Sequence, residues 1–307
     1  MITNSKIIDG KKIASTIRIE VALHAQKLKT LNIFPGLAVI QVGDNASSTI
    51  YVNNKIKAAK AANIRSVVLK FDENSTTRQL KIKIEQLNND LKINGILVQL
   101  PLPSHMDVAE IINTIHPSKD VDGLTIENVG RLILEKKGFT PCTPQGCLIL
   151  IKSIEPQISG LNVVVVGRSH IVGRPMANLL INQDCTVTVA HSKSMNILAI
   201  CKQADILIIA AGRPRLVNKD WIKQGAIVID VGICRVGLED GSTKLIGDVD
   251  FDDVISKVRA ITPVPGGVGP MTIACLLQNT IKATLEQHHL TIDNASQLIK
   301  NTKFAID

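Results

Sequence analysis

The feature that most constrains this sequence is a set of near-continuous apolar runs at even spacing. Residues 162–166, 186–190, 205–210 and 226–231 form such runs, about 20 to 24 residues apart. A strand with one wet face alternates polar and apolar side chains, whereas a strand buried on both faces does not. The runs therefore predict a parallel sheet covered on both sides. The first half has the same rhythm at longer spacing. Residues 37–42, 66–71 and 95–100 read as strands. Helix-like stretches lie between and before them, at 11–28, 48–62 and 76–88, the last with Leu80, Ile84 and Leu87 on one face. Strands alternating with helices define an α/β chain of βαβ units. The Pro-rich residues 140–144 separate the halves, and a final helix is expected over 271–288, with Pro270 suited to its first turn.

The length of 307 residues fits two domains. With 45% hydrophobic and 20% charged residues the composition is that of an ordinary globular chain. No apolar run approaches the ~20 residues of a membrane span, and the N-terminus has no secretory pattern. Six scattered cysteines form no CxxC pair, so buried free thiols in a reducing cytoplasm are expected, and no metal site. Aromatics make up 2%, which disfavours base stacking on single-stranded nucleic acid. Residues 1–145 carry 19 Lys+Arg against 13 Asp+Glu, and the remainder 16 against 14. The excess in the first part reads either as a solvated surface or as a field for an anionic partner. A regulatory nucleotide-binding or nucleic-acid-binding protein has only this charge in its favour.

The segment 163–180, VVVVGRSHIVGRPMANLL, reads as strand, tight turn, helix. Such a turn sets backbone N–H groups and a helix N-terminus beside a phosphate. Gly167 and Gly173 lie six apart, with Ser169 where a second glycine is usual; a plain βα turn remains the alternative. The next strand ends in His191-Ser192-Lys193, without the acid that accepts from a ribose 2′-hydroxyl. Ser192, Lys193 and Arg168 suit a 2′-phosphate, hence NADP. The glycines of AAGRP (210–214) and DVGI (230–233) allow backbone approach near a nicotinamide.

In the first half, Tyr51 is the only tyrosine and lies one helical turn from Lys55, on the same face. The pair could serve as an acid/base unit if low-dielectric surroundings or a cation depress the lysine's pKa. A solvated helical lysine is the alternative. Gln99 is the one polar residue near the carboxyl end of an apolar strand, where α/β sheets bind ligands, or else a satisfied core glutamine. The loop 119–123, KDVDG, offers two carboxylates but no calcium-loop pattern. An aspartate facing paired heterocycle N–H donors fits it better. Residues 263–270, PVPGGVGP, read as a backbone wall or hinge.

Together these motifs resemble the bifunctional methylenetetrahydrofolate dehydrogenase/methenyltetrahydrofolate cyclohydrolase family. IIDGKKIA, VGDNASSTIYVNNK, GILVQLPLP, HPSKDVDGL, PCTP, VVGRSHIVGRP, ADILIIAAGRP, DVGI, GDVDF and TPVPGGVGPMTIA occur in the family's order over about residues 7 to 280. The resemblance implies two three-layer α/β domains around a cleft, the second Rossmann-like and doubly wound. It implies a folate-binding and catalytic domain over 1–122, joined by the helix 271–288, an NADP-binding domain over 123–270, and an accessory tail over 289–307. It assigns Lys55 as the acid/base residue, Gln99 as its partner, Tyr51 beside the folate, and Asp122 on the pterin edge. Val98, Leu100 and Pro265, Gly266, Gly267, Val268 and Gly269 line the folate site. Gly167, Arg168, Ser169, Ser192 and Ile233 match cofactor positions, and no metal is implied. The implied reaction oxidises methylenetetrahydrofolate with NADP and hydrolyses the methenyl product to 10-formyltetrahydrofolate, in the one-carbon metabolism that serves purine, methionine and histidine synthesis. The alternative is a dehydrogenase with little cyclohydrolase activity. The implied partners are tetrahydrofolate derivatives, polyglutamylated forms included, and a second copy in a cytoplasmic homodimer, with neither nucleic acid nor membrane. His170 occupies a variable position of the turn.

Overall fold

The computed structural model describes residues 6–237 and 242–291. The chain divides into two compact units, and the division falls within three of its helices. One unit comprises residues 15–131, 137–140 and the chain from Ile273. In it α1 (Gly10–Thr30), β1 (Gly36–Val42), α2 (Ala46–Ala61), β2 (Arg65–Phe71), α3 (Thr77–Asn89) and β3 (Gly95–Val98) alternate, followed by α4 (Val108–Asn113) and α5 (Ile126–Ile133). The sheet is parallel with order β2-β1-β3. The central strand β1 is buried at every position, as a run of seven apolar-rich residues requires. α3 starts with a capping box, Thr76 accepting from the Gln79 N–H and the Gln79 side chain from the Thr76 N–H. Its Leu80, Ile84 and Leu87 pack with Ile40, Val42, Ile96 and Val98 from the sheet. Beyond β3, the Ile96 N–H donates to the Lys119 carbonyl at 2.7 Å. That bridge lays the KDVDG loop along β3, and a side chain at Gly95 would strike Val121 at 2.6 Å.

The other unit comprises residues 6–14, 132–136 and 141–272. It contains α6 (Cys142–Lys152), β4 (Asn162–Val166), α7 (Gly173–Ile181), β5 (Thr186–Ala190), α8 (Ile197–Cys201), β6 (Ile206–Ile209), β7 (Ile227–Asp230), β8 (Cys234–Gly237), β9 (Thr243–Ile246), α9 (Phe251–Val254) and β10 (Ala260–Ile261). Five strands form a parallel sheet in the order β10-β7-β6-β4-β5. Residues 6–8 extend it: the Ile8 N–H donates to the Ile261 carbonyl and the Ile261 N–H to the Lys6 carbonyl, each at 2.8 Å. The strand order reverses at β4, the topological switch point where such sheets bind ligands. β8 and β9 form a separate antiparallel hairpin.

The last helix, α10 (Val268–Gln287), carries Pro270 in its first turn. Its Asn279 amide donates to the Val121 and Thr140 carbonyls, and Gln287 Nε2 to the Asn94 and Ser118 carbonyls. Polar side chains so placed tie the end of the chain into the three-stranded unit. The stretch 140–144, which the sequence presents as a break, instead starts α6, with Pro144 within its first turn where no N–H is needed. The proposed tail 289–307 lies mostly outside the described residues. Among the described residues no helix is long and apolar enough to cross a membrane. The six cysteines are free and, Cys234 apart, buried.

Candidate active site

In the three-stranded unit, α2 begins at Asn45, whose side chain accepts from the Ser48 N–H. About two and three turns on, the helix presents Tyr51, half-buried, and Lys55, 8% exposed. Lys55 Nζ donates to Gln99 Oε1 at 2.9 Å, while Gln99 Nε2 donates to the Leu100 carbonyl at 2.6 Å. Gln99 is one residue past the end of β3, and its own N–H still pairs with the Ile40 carbonyl. The backbone thus fixes the amide, and the amide fixes the lysine. A neutral amide partner orients an amine without the competing charge of a carboxylate. Val98 is buried in the core cluster, whereas Leu100 is half-buried. Beneath the site, Gln41 is 1% exposed and donates to Thr49 Oγ1 at 2.8 Å and the Gly43 carbonyl at 3.2 Å, fastening the loop that leads into α2.

The two carboxylates of KDVDG separate by role. Asp120 is 1% exposed and accepts from the Gly123 N–H, the Thr125 N–H and Asn128 Nδ2 at 2.8 to 2.9 Å. Lys119 is buried too, its ammonium capping α3 through the Leu87 and Asp90 carbonyls, and burial lowers its pKa. Asp122, half-buried, stands on the turn that these contacts hold.

In the five-stranded unit, Gly167 has φ +125°, and a side chain there would lie 2.2 Å from the Ala210 carbonyl oxygen. A side chain on Gly173 would lie 2.2 Å from the Gly167 carbonyl oxygen. Both glycines are therefore required by close backbone approach. Ser169 Oγ accepts from the Val172 and Gly173 N–H groups at 3.2 and 3.3 Å, at the start of α7. Arg168 and Ser169 are exposed at the turn, as are Ser192 and Lys193 in the loop after β5. This glycine cradle at a helix N-terminus fits a dinucleotide pyrophosphate, and the acid-free loop after β5 fits a 2′-phosphate. Ile233 is 41% exposed and lies beside Gly269, whose added Cβ would meet Ile233 Cδ1 at 3.7 Å. Pro265 is exposed, and Gly266, at φ +115°, packs under the Lys11 stem. Val268 is 4% exposed and belongs to the packing of α10. The structure therefore gathers Tyr51, Lys55, Gln99, Leu100 and Asp122 in one unit, and residues 265–269 with the cofactor positions in the other.

Sequence reasoning missed a buried carboxylate pair. Asp230, at the end of β7, accepts from the Gly232, Asp248 and Val249 N–H groups. Burial raises its pKa to about 7, against the lowering effect of those donors, and the Asp248 charge adds to the rise. Asp248 is 0% exposed, and its Oδ2 accepts from the Ala211 and Gly212 N–H groups. The available signal was an acid at the end of a buried apolar run in DVGI and an acid between glycine and valine in GDVDF. Gln41 and Asp120 gave no comparable signal of role. Among the described residues no His, Cys, Asp or Glu cluster could hold a metal ion.

A doubly wound sheet with a glycine cradle at its switch point defines a dinucleotide-binding α/β protein, here with a second α/β unit carrying a lysine–glutamine pair. The chain belongs to the tetrahydrofolate dehydrogenase/cyclohydrolase family: residues 8–122 match its catalytic domain and residues 141–288 its NAD(P)-binding domain. A relative from Paracoccus denitrificans, bifunctional protein FolD 2, is 52% identical over 278 residues, 90% of this chain and 92% of its own length. The crystal structure of the bifunctional FolD enzyme from Campylobacter jejuni superposes with a TM-score of 0.88 at 47% identity, covering 92% of this chain and 99% of that one. The Trypanosoma brucei enzyme, solved with NADP cofactor and an inhibitor, gives a TM-score of 0.88 at 39% identity, covering 92% and 97%.

Proposed function

We propose that this protein oxidises 5,10-methylenetetrahydrofolate to 5,10-methenyltetrahydrofolate with NADP⁺ and hydrolyses the product to 10-formyltetrahydrofolate. The hydrogen bond from Lys55 to Gln99 is the observation that carries the reading, because it orients a buried amine at the carboxyl end of a parallel sheet. When bound, NADP⁺ supplies the hydride acceptor. Gly167, Arg168 and Ser169 hold its pyrophosphate side, Ser192 with Arg168 and Lys193 the 2′-phosphate, and Ile233 the nicotinamide side. Asp122 accepts from the amino-pyrimidine edge of the folate, Tyr51 packs on it, and Leu100, next to Gln99, lines its site. The substrate carbon bridges two nitrogens whose lone pairs stabilise the cation left when hydride departs, so oxidation needs mainly alignment. Water then adds to the methenyl carbon and loses a proton. As the bond from that carbon to N5 breaks, N5 takes up a proton and the hydroxyl left by the water gives one up to become the formyl C=O, which stays on N10. One proton is released overall. Lys55 carries protons in these steps, oriented by Gln99.

The sequence-based bounds, 1–122 with the helix 271–288 for the catalytic and folate-binding domain and 123–270 for the NADP domain, shift with the compact units. Residues 6–14 go with the NADP domain and 123–131 with the catalytic one, and 289–307 is accessory. A cytoplasmic homodimer is the working form, and polyglutamylated folates are drawn by the positive charge of the first 145 residues. Lys55→Met tests the assignment: cyclohydrolase activity is lost while calorimetric NADP affinity stays. Wild-type hydrolysis of methenyltetrahydrofolate by that variant overturns it. Comparing kcat/KM with NADP and NAD in the same folate assay tests the cofactor choice.

A further inference from the structure

The paired carboxylates of the five-stranded unit have no role in the assignments above, although they hold the residues on either side of Ile233. Asp248 Oδ2 takes the Ala211 N–H at 2.7 Å and the Gly212 N–H at 2.8 Å, in the loop that leaves β6. Its carboxyl carbon backs the loop that leaves β7, since a side chain on Gly232 would lie 2.3 Å from Asp248 Cγ. Asp230 Oδ1 takes the Gly232 N–H at 2.9 Å and the Asp248 N–H at 3.0 Å, and Oδ2 takes the Val249 N–H at 2.9 Å. Two buried acids thus join three loops at one end of the parallel sheet.

Burying two carboxylates costs several kcal/mol, so mere cohesion of the core is a poor reason for them. The sheet order supplies a better one. The cradle lies at β4 and the 2′-phosphate loop follows β5, on one side of it. A dinucleotide that lies across the carboxyl ends of the strands must then place its nicotinamide half over β6 and β7. The loops after those two strands are the ones that Asp248 holds. Because a trans peptide sets its N–H and C=O on opposite sides, Asp248 also orients carbonyls. It turns the Ala210 carbonyl away from itself, and that oxygen is the one packed against Gly167. It leaves the Ala211 carbonyl on the face of the loop opposite the carboxylate.

We infer that Asp248, seated on Asp230, is a positioning residue for the nicotinamide half of the cofactor, acting through the backbones of residues 210–212 and 231–233. This rests on the dinucleotide reading of the five-stranded unit. It differs from a general structural role by acting on one half of the ligand only.

The experiment measures calorimetric Kd for NADP and for 2′,5′-ADP, which keeps the adenosine half and lacks nicotinamide, in wild type and in Asp248→Ala. The variant removes the carboxylate and keeps the backbone N–H that Asp230 accepts. The expected result is an NADP affinity at least tenfold weaker, with 2′,5′-ADP affinity within twofold of wild type. Equal losses for both ligands, or no loss for either, overturn the inference. Gly212→Ala is the second variant, for the case where Asp248→Ala does not fold. Gly212 has φ +66° with open space around it, so the substitution strains the loop without entering the core. It should show the same split, and unchanged NADP affinity in it counts against the inference. A wild-type protein that binds neither ligand refutes the dinucleotide reading itself, a separate outcome.

Discussion

Replacing Asp120 by Asn tests how the KDVDG turn is held. The carboxylate is 1% exposed and serves three donors, one on Oδ1 and two on Oδ2. An asparagine of the same shape best keeps its oxygen toward Thr125 and Asn128. Its amide nitrogen then faces the Gly123 N–H, which keeps its 3.2 Å bond to the residue-120 carbonyl, so the new amide N–H is the buried donor left unsatisfied, at about 1–3 kcal/mol. The two retained bonds change from charged to neutral, and each loses roughly 1 kcal/mol. Relief of the buried charge offsets part of this, so the net cost is about 3 kcal/mol. Equilibrium urea unfolding followed by far-ultraviolet circular dichroism measures it. Trp221, the only tryptophan, lies in the five-stranded unit, and its fluorescence reports a transition there. Because Asp122 stands on the same turn, folate KM should rise while 2′,5′-ADP affinity stays. A stability change below about 0.5 kcal/mol, within what an ordinary surface substitution does, refutes the account of Asp120 as the anchor.

Three further outcomes are expected. Asp122→Ala loses folate binding and both activities while NADP affinity persists, and unchanged folate affinity in a direct titration counts against the pterin assignment. Gly173→Ala puts a methyl group 2.2 Å from the Gly167 oxygen; the forced shift costs about 1–3 kcal/mol, and calorimetry should find NADP binding weakened about tenfold or more. Asp230 has its folded pKa raised to about 7, from an ordinary value of 3.8, chiefly by burial. Between those values the folded state binds more protons than the unfolded one, so its contribution is full below pH 3.8 and is lost as pH rises through 7. The urea midpoint read by Trp221 should therefore fall across this window, and Asp230→Asn should flatten the slope.

The parallel strands were legible because burial on both faces leaves continuous apolar runs, as in 162–166 and 206–209. α6 was hidden because Pro141 and Pro144 resemble a break, although proline is well tolerated where a helix begins. The β8–β9 hairpin was missed although Asp240-Gly241 between its strands is a turn signal, because those strands are only four residues long and polar on one side. At the site, spacing alone put Tyr51 and Lys55 on one helical face. The partnership of Lys55 with Gln99 joins positions 44 apart, which no local pattern encodes. Asp120 and Asp122 are chemically identical in the sequence, and only the three donors around Asp120 distinguish them. Asp230 and Asp248 are likewise defined by which backbones converge on them.

The pairing of residues 6–8 with Ile261 has a consequence for biosynthesis. These residues leave the ribosome some 250 positions before the strand that receives them. Nearly the whole chain must be made before they have a place. The same segment runs into Gly10, where a side chain would lie 1.9 Å from the Gly267 carbonyl oxygen. The segment 6–10 therefore acts as a clasp that can close only late in synthesis, directly beside the glycine loop of residues 266 and 267.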